Sequence, residues 1–478
     1  MVFNSFSFLV FFIIVFALYW RVPKRFQWLY LLLTSYYFYA SWKPAYVLLI
    51  LLTTVVSYVA ARYMEKLPQR KTVLLLFSLL VNIGILFAFK YFNLFSHTTN
   101  LALSFFNTSF QLPQFSLLLP VGISFYTFQT VGYLMDVHRG KIPAEKHFGI
   151  FALFVSFFPQ LLAGPIERGG NTIPQFHEKH SFDYDRTVSG LKLFTLGLFK
   201  KVVIADNLGV AVDKVFSTLP DYKGLSLVLA VFLFSWQIYS DFSGYTDMAR
   251  GVARMLGIKL MENFNTPYLA TSIRDFWRRW HISLSSWFRD YLYIPLGGNR
   301  KGLIRTCLNT LIVFLVCGLW HGSTVNFALW GLFSGVFIST EIIALKVFKD
   351  KLHIPHFIAV LYTYVTICVS WVLFRAATLT DVVYIYRYSF AGLKNFISPT
   401  YIWATLSQIF KTNVVEMVIV LFCLVAIMIL DLISSKTSLS GLVRKQHPLV
   451  RWFIYVGVVS LIVLLRNADI KEFIYIQF

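Results

Sequence analysis

The sequence predicts an all-α polytopic membrane protein of about ten to twelve transmembrane helices, with re-entrant pieces and amphipathic helices on the cytoplasmic side. Three observations predict it. The chain of 478 residues is 57% hydrophobic and only 14% charged, where a soluble domain is about 25% charged. Continuous apolar runs of bilayer-crossing length recur from end to end, and the charges gather between them. The runs do not alternate apolar with polar residues, so a membrane barrel does not fit. No long linker and no internal repeat divides residues 1–478, which read as a single membrane domain.

The first run, 6–20, has no basic stretch before it and no small-residue cleavage site after it. "RVPKR" (21–25) follows as a stop-transfer flank, so this helix is expected to stay in the mature protein. "ARYMEKLPQRK" (61–71) and "DVHRGKIPAEKH" (136–147) are the next basic stretches, and the intervening loops carry a single lysine, Lys43. Basic loops face the cytoplasm, which places the N-terminus outside. In 148–170, Pro159, Gly164 and Pro165 predict a broken or re-entrant helix, tolerable only where protein or a wet cavity surrounds it. Later, the arginine-rich 274–305, "KVFKDKLH" (346–353) and "RKQHPLVR" (444–451) are expected inside. The formal charge of +21, from 43 Lys+Arg against 22 Asp+Glu, is then mostly topological, with membrane lipid as the partner. Nucleic-acid binding would need a basic soluble module, and none is present.

The histidines and the four cysteines show no metal spacing, and neither a P-loop nor a dinucleotide fingerprint is present. Chemistry is sought instead in three clusters. In "VCGLWHGSTVNFALWG" (316–331), 16 residues separate Arg305 from His321, about 24 Å of helix, short of the roughly 30 Å of hydrocarbon. The hairpin tip with Trp320 and His321 should lie at depth, at the floor of an outward-opening pit, where ionisable residues are usually functional. The segment 275–291, read as one helix, lines up Trp277, Trp280, His281, Leu284, Phe288 and Tyr291 on one stripe and pairs Asp275 with Arg279. It reads either as an interfacial helix with an aromatic belt and snorkelling arginines or as a surface for an anionic donor. In 235–250, Gln237, Asp241 and Tyr245 share one helix face, as a structural polar network or the lining of a hydrophilic channel.

"DFWRRWHISLSSWFRDYLYIPLGGNR" (275–300) and "GLWHGSTVNFALWG" (318–331) resemble the membrane-bound O-acyltransferase (MBOAT) family, bacterial alginate O-acetyltransferase branch. "PVGISFYTFQTVGY" (120–133), "FFPQLLAGPIERG" (157–169) and "QIYSDFSGYTDMARG" (237–251) support the likeness in the expected order. The resemblance implies a ring of tilted helices around a thin centre, in the bacterial inner membrane. It also implies transfer of an acetyl group from a cytoplasmic donor, acetyl-CoA or another acyl carrier, with no bound cofactor. The acceptor would be an exported polysaccharide or cell-wall polymer, reached through an extracytoplasmic acetylesterase-like partner. His321 and His281 match the family's two functional positions. O-acylation needs a base for the acceptor hydroxyl, and histidine suits neutral pH. Trp280 and Arg278 would line the donor path, with Asp275, Gln237, Asp241, Tyr245 and Trp320 completing the substrate-binding set. A Cys317 relay is disfavoured, because nothing in the sequence suggests the depressed thiol pKa it requires. Alternatives are a transporter of polysaccharide or lipid precursors and a D-alanyl-transfer member of the family fed by a carrier protein.

The orientation has a direct test. In a cysteine-free background, Lys24→Cys and Lys66→Cys should react only with permeant thiol reagents. Thr99→Cys and Ser398→Cys should react with impermeant reagents added outside. The reverse pattern would invert the protein and its donor side.

Overall fold

The computed structural model describes residues 1–106, 110–115, 119–348, 354–466 and 473–474. The last part of the basic stretch 346–353 therefore lies outside the described residues. These residues form helices and connecting turns, with one isolated antiparallel bridge between Phe264 and Trp280. Seven helices among them are long and apolar enough to cross a membrane: Pro44–Lys66, Pro68–Ser104, Leu225–Met255, Leu303–His321, Val325–Phe348, His356–Arg375 and Val414–Lys436. Two shorter apolar helices, Phe6–Tyr19 and Pro448–Leu464, add to them. The sequence's ten to twelve spans thus resolve into fewer full-length helices, because several apolar runs are spent on short or broken ones. Residues 148–161 show how. The helix Phe148–Ser156 stops where Phe157 turns extended, and a one-turn helix, Phe158–Leu161, resumes with Pro159 at its start.

The chain divides into two compact units, Met1–Leu191 with Ala249–Met261, and Lys192–Met248 with Glu262–Phe478. In the first, Ile123–His138 packs against both Val47–Lys66 and Lys71–Leu86. Asn82 ties the three together, donating to Ser57 Oγ at 3.1 Å and accepting from Thr130 Oγ1 at 3.4 Å. Such interhelical polar contacts contribute about 0.6 kcal/mol each in membrane bundles. Glu167 is buried and accepts hydrogen bonds from the Met261 N–H, Asn171 and Thr172. It closes the "PIERG" turn onto the end of the unit.

In the second unit, Leu303–His321 and Val325–Phe348 form a tight helical hairpin. Glycines set its spacing. A Cβ on Gly318 would collide with the Phe327 carbonyl, and one on Gly331 with the Phe314 carbonyl. Small residues let the backbones close, and dispersion then holds them where lipid supplies no hydrophobic drive. Residues up to Met248 of the Leu225–Met255 helix and the Val414–Lys436 helix join through Tyr239, whose hydroxyl donates to Asp431 at 2.7 Å.

Gly318→Val should therefore lower stability by about 1–3 kcal/mol, the usual cost of overpacking, read as a lower Tm in detergent. Gly84→Ala, whose Cβ would meet nothing within 4 Å, should be neutral or slightly stabilising. Equal Tm values for Gly318→Val and the unmodified chain would show that the hairpin does not depend on this approach.

Candidate active site

Arg278 and Arg279 belong to the short helix Ile273–Arg279, whose first turn is capped from two sides. The Ser272 hydroxyl accepts from the Asp275 N–H at 3.0 Å, and the Glu341 carboxylate accepts from the Ile273 and Arg274 N–H groups. Asp275 also holds Arg279 at 3.0 Å, the pair expected from the spacing. Arg278 is exposed.

The single helix expected over 275–291 is not formed. Trp280 turns extended and His281 adopts a left-handed conformation, φ +46°, before a second short helix, Ile282–Phe288. The break has a tertiary cause. Residues 263–265 run antiparallel to it: the Asn265 N–H donates to Arg279 O and the Ile282 N–H to Asn263 O, each at 3.0 Å. Asn263 Oδ1 then accepts from the Ser283 N–H at 3.1 Å. A left-handed non-glycine residue is costly and recurs at functional sites. Nor do the large residues of the stripe form an interfacial belt. Trp277, Trp280, Leu284, Phe288 and Tyr291 are all buried, and His281 is 1% exposed.

His281 and His321 converge on one indole. The Trp320 ring lies edge-on to both, with centroids at 6.1 Å from His281 and 4.7 Å from His321. Phe242 also packs edge-on against His281, with centroids at 4.7 Å. His321, the last residue of its helix and 3% exposed, is walled further by Trp330 at 5.0 Å and Phe374 at 5.5 Å. Trp371 stacks on Trp330 and approaches Trp280 at 5.0 Å, which closes the cluster. Within it, the indole N–H groups of Trp277 and Trp330 are buried without a hydrogen-bond partner among the described residues. Buried indoles normally find one.

The third cluster behaves differently. Asp241 accepts from Lys201 Nζ at 2.7 Å and from the Ile474 N–H at 2.8 Å, and Tyr245 packs edge-on to Phe473. Gln237 is buried, and its Oε1 has no partner among the described residues. These contacts of Asp241 and Tyr245 lie away from the histidines. It is Phe242, from the same helix, that meets His281.

The chain is similar to a probable alginate O-acetylase, AlgI, of Pseudomonas putida, 39% identical over 79% of this chain and 78% of that protein. It is also 39% identical to a peptidoglycan O-acetyltransferase of Helicobacter pylori, over 73% of this chain and 71% of that protein. The model of the MBOAT, membrane-bound O-acyltransferase family, matches residues 141–357, which hold both histidines. The chain belongs to the membrane-bound O-acyltransferase family. It is a multi-pass membrane O-acyltransferase. A more distant relative is a teichoic acid D-alanyltransferase of Bacillus subtilis, 30% identical over 48% of this chain and 60% of that protein.

Sequence reasoning missed Trp330, Trp371, Phe374 and Asn263. Trp330 lies in a motif that drew attention for Trp320 and His321; its neighbour Gly331, placed to let two apolar runs touch, is the signal that could have found it.

Burial pushes the His281 imidazole pKa down to about 3, from an ordinary value near 6.5. The folded protein then binds fewer protons than the unfolded chain between those values. Stability is full above pH 6.5 and falls by about 1.4 kcal/mol per pH unit as pH drops toward 3. Tm in detergent should therefore decline between pH 6.5 and 5, and His281→Asn should flatten that decline. Parallel Tm curves for the two proteins would place the titration elsewhere.

Proposed function

We propose that this protein transfers an acetyl group from a cytoplasmic donor, acetyl-CoA or another acyl carrier, for O-acetylation of an exported polysaccharide or cell-wall polymer. Transfer to the polymer would pass through an extracytoplasmic acetylesterase-like partner. The orientation is that of the charge pattern, N-terminus outside, in the bacterial inner membrane. The longer and closer matches are to proteins named for O-acetylation, which favours acetyl over D-alanyl as the acyl group.

The observation that carries the mechanism is the shared Trp320 contact of the two imidazoles inside a buried aromatic wall. In the proposed step His321 takes the proton of the acceptor hydroxyl. The acceptor oxygen bonds to the acyl carbon, the donor's bond to that carbon breaks, and the leaving group carries away the electron pair. His321 then returns the proton. Negative charge develops on the acyl oxygen, and the unpartnered Trp330 N–H beside His321 is suited to receive it. In a site walled by aromatics such a donor acts with little screening and needs no reorganisation. His281, held neutral by its burial, would position the donor as a hydrogen-bonding group and not as a cation. Trp280 and Arg278 would flank the donor's entry.

His321→Ala should lower acyl transfer by about 10²–10⁴-fold with insertion and purification unchanged. Trp330→Phe keeps the ring and removes the donor, and should lower kcat by about 10²-fold with KM little changed. His281→Ala should mainly weaken binding of an acetyl-donor analogue to the purified protein, while His321→Ala should leave it intact. Transfer within a few-fold of normal in His321→Ala would end the general-base assignment. Full activity of Trp330→Phe alone would end only the oxyanion role.

A further inference from the structure

Within the first unit, a cavity of about 120 Å³ lies at the junction of the Phe6–Tyr19 helix, the basic turn that follows it and the segment 176–180. The cavity has room for several water-sized groups. Its rim is cationic: Lys24, Arg25 and Lys179 line it against a single carboxylate, Glu178. The neighbouring His177 is engaged with Glu145 at 2.9 Å. Two of its lining residues are deeply buried and incompletely satisfied. Tyr19 is 0% exposed and its hydroxyl has no hydrogen-bond partner among the described residues; Gln27 is 5% exposed and its Oε1 likewise has none. The Gln27 amide is oriented by its other end, where Nε2 donates to His180 O at 3.3 Å. A buried polar group without a partner is uncommon and calls for one.

We propose that this cavity binds the headgroup of an anionic phospholipid that carries a free hydroxyl, of the phosphatidylglycerol type. The cations match the phosphodiester, and the Tyr19 hydroxyl is a donor for its oxygen. The Gln27 Oε1 is an acceptor, so it selects a ligand with a hydroxyl and not a bare phosphate. The source is a lipid because of where the cavity opens. Tyr19 ends an apolar helix whose outward residues, Phe6, Ile13 and Leu18, are exposed, and Lys24 and Arg25 follow within six residues. That is the depth at which a helix leaves hydrocarbon for headgroups. By the charge pattern this is the cytoplasmic leaflet, where anionic lipids concentrate.

The test uses the full chain in phosphatidylcholine nanodiscs doped with phosphatidylglycerol, with lipid retention read by native mass spectrometry. Phosphatidylglycerol should be retained over phosphatidylmethanol, which has the same charge and no hydroxyl. Tyr19→Phe should weaken retention by about tenfold to a hundredfold, as expected for one hydrogen bond to a charged group. Gln27→Leu should abolish the preference between the two lipids, and the exposed Lys179→Gln should weaken both alike. Equal retention of the two lipids by the unmodified chain would overturn the proposal, and this arm stands even where a buried variant fails to purify. Unchanged binding in both Tyr19→Phe and Gln27→Leu would reduce the effect to diffuse surface charge and also overturn it. Glycerol 3-phosphate competing in lipid-free micelles as strongly as the lipid would reassign the site to a soluble phosphate.

Discussion

Lys201 carries its charge at 1% exposure, and the organisation of the second unit follows from how that charge is held. Asp206 Oδ1 lies 2.9 Å from its Nζ and Asp241 Oδ1 2.7 Å. A lone ammonium in such surroundings would cost several kcal/mol, so the three side chains are bound to stay together. Asp206 sits at the end of the Phe199–Ala205 turn and Asp241 in the middle of the Leu225–Met255 helix. The pair therefore fixes the rotation of that helix. The second Asp241 oxygen takes the Ile474 N–H, and the Phe473 ring lies over the Lys201 ammonium at 4.5 Å. Lys200, next in sequence, pairs with Asp247 at 2.8 Å and repeats the clamp further along.

Once the rotation is fixed, the helix divides its labour by face. The face of Asp241 and Tyr245 meets the buried lysine. Roughly 100° per residue away, Phe242 meets His281, and Tyr239 meets Trp280, Tyr268 and Asp431. The aromatic cluster around the histidines is thus oriented by an ion-pair network that does not touch them. Tyr268 extends the same frame: its hydroxyl donates to Ser235 O at 2.6 Å and accepts from Trp371 Nε1 at 3.2 Å.

The sequence made some of this legible. Apolar runs bounded by arginine and lysine mark helices because lipid admits few other structures, and the hairpin at His321 followed from one apolar run turning tightly into another. The Asp275–Arg279 pair followed from spacing, since an i,i+4 contact needs only one turn of helix. The break at His281 did not. The apolar period runs unbroken through 277–291, so local pattern argues for a continuous helix. What interrupts it is pairing with residues 263–265, a tertiary competitor that no window over the segment contains. The role of Asp241 was ambiguous for the same reason: a buried carboxylate reads alike whether its partner is a lysine on another helix or a substrate. Trp330 was missed because a tryptophan in an apolar run reads as packing, and only its unpartnered N–H sets it apart.

That N–H bears on what the aromatic wall is for. A phenylalanine at 330 would fill nearly the same space against His321, Trp371 and Phe374 without a polar atom to bury. An unsatisfied buried donor costs about 1–3 kcal/mol, and Trp277 adds a second in ring contact with the first, at 5.6 Å. Packing alone gives no return on that cost. His281 carries a comparable expense in its left-handed backbone, and a buried imidazole costs more again to ionise. These unfavourable features gather around the two histidines, while the buried Lys201 of the same unit is neutralised by Asp206 and Asp241. Backbone strain and unpaired indole donors beside the histidines are what preorganisation requires: groups held where a reacting oxygen will need them, with the energetic cost met in folding and not at the moment of reaction.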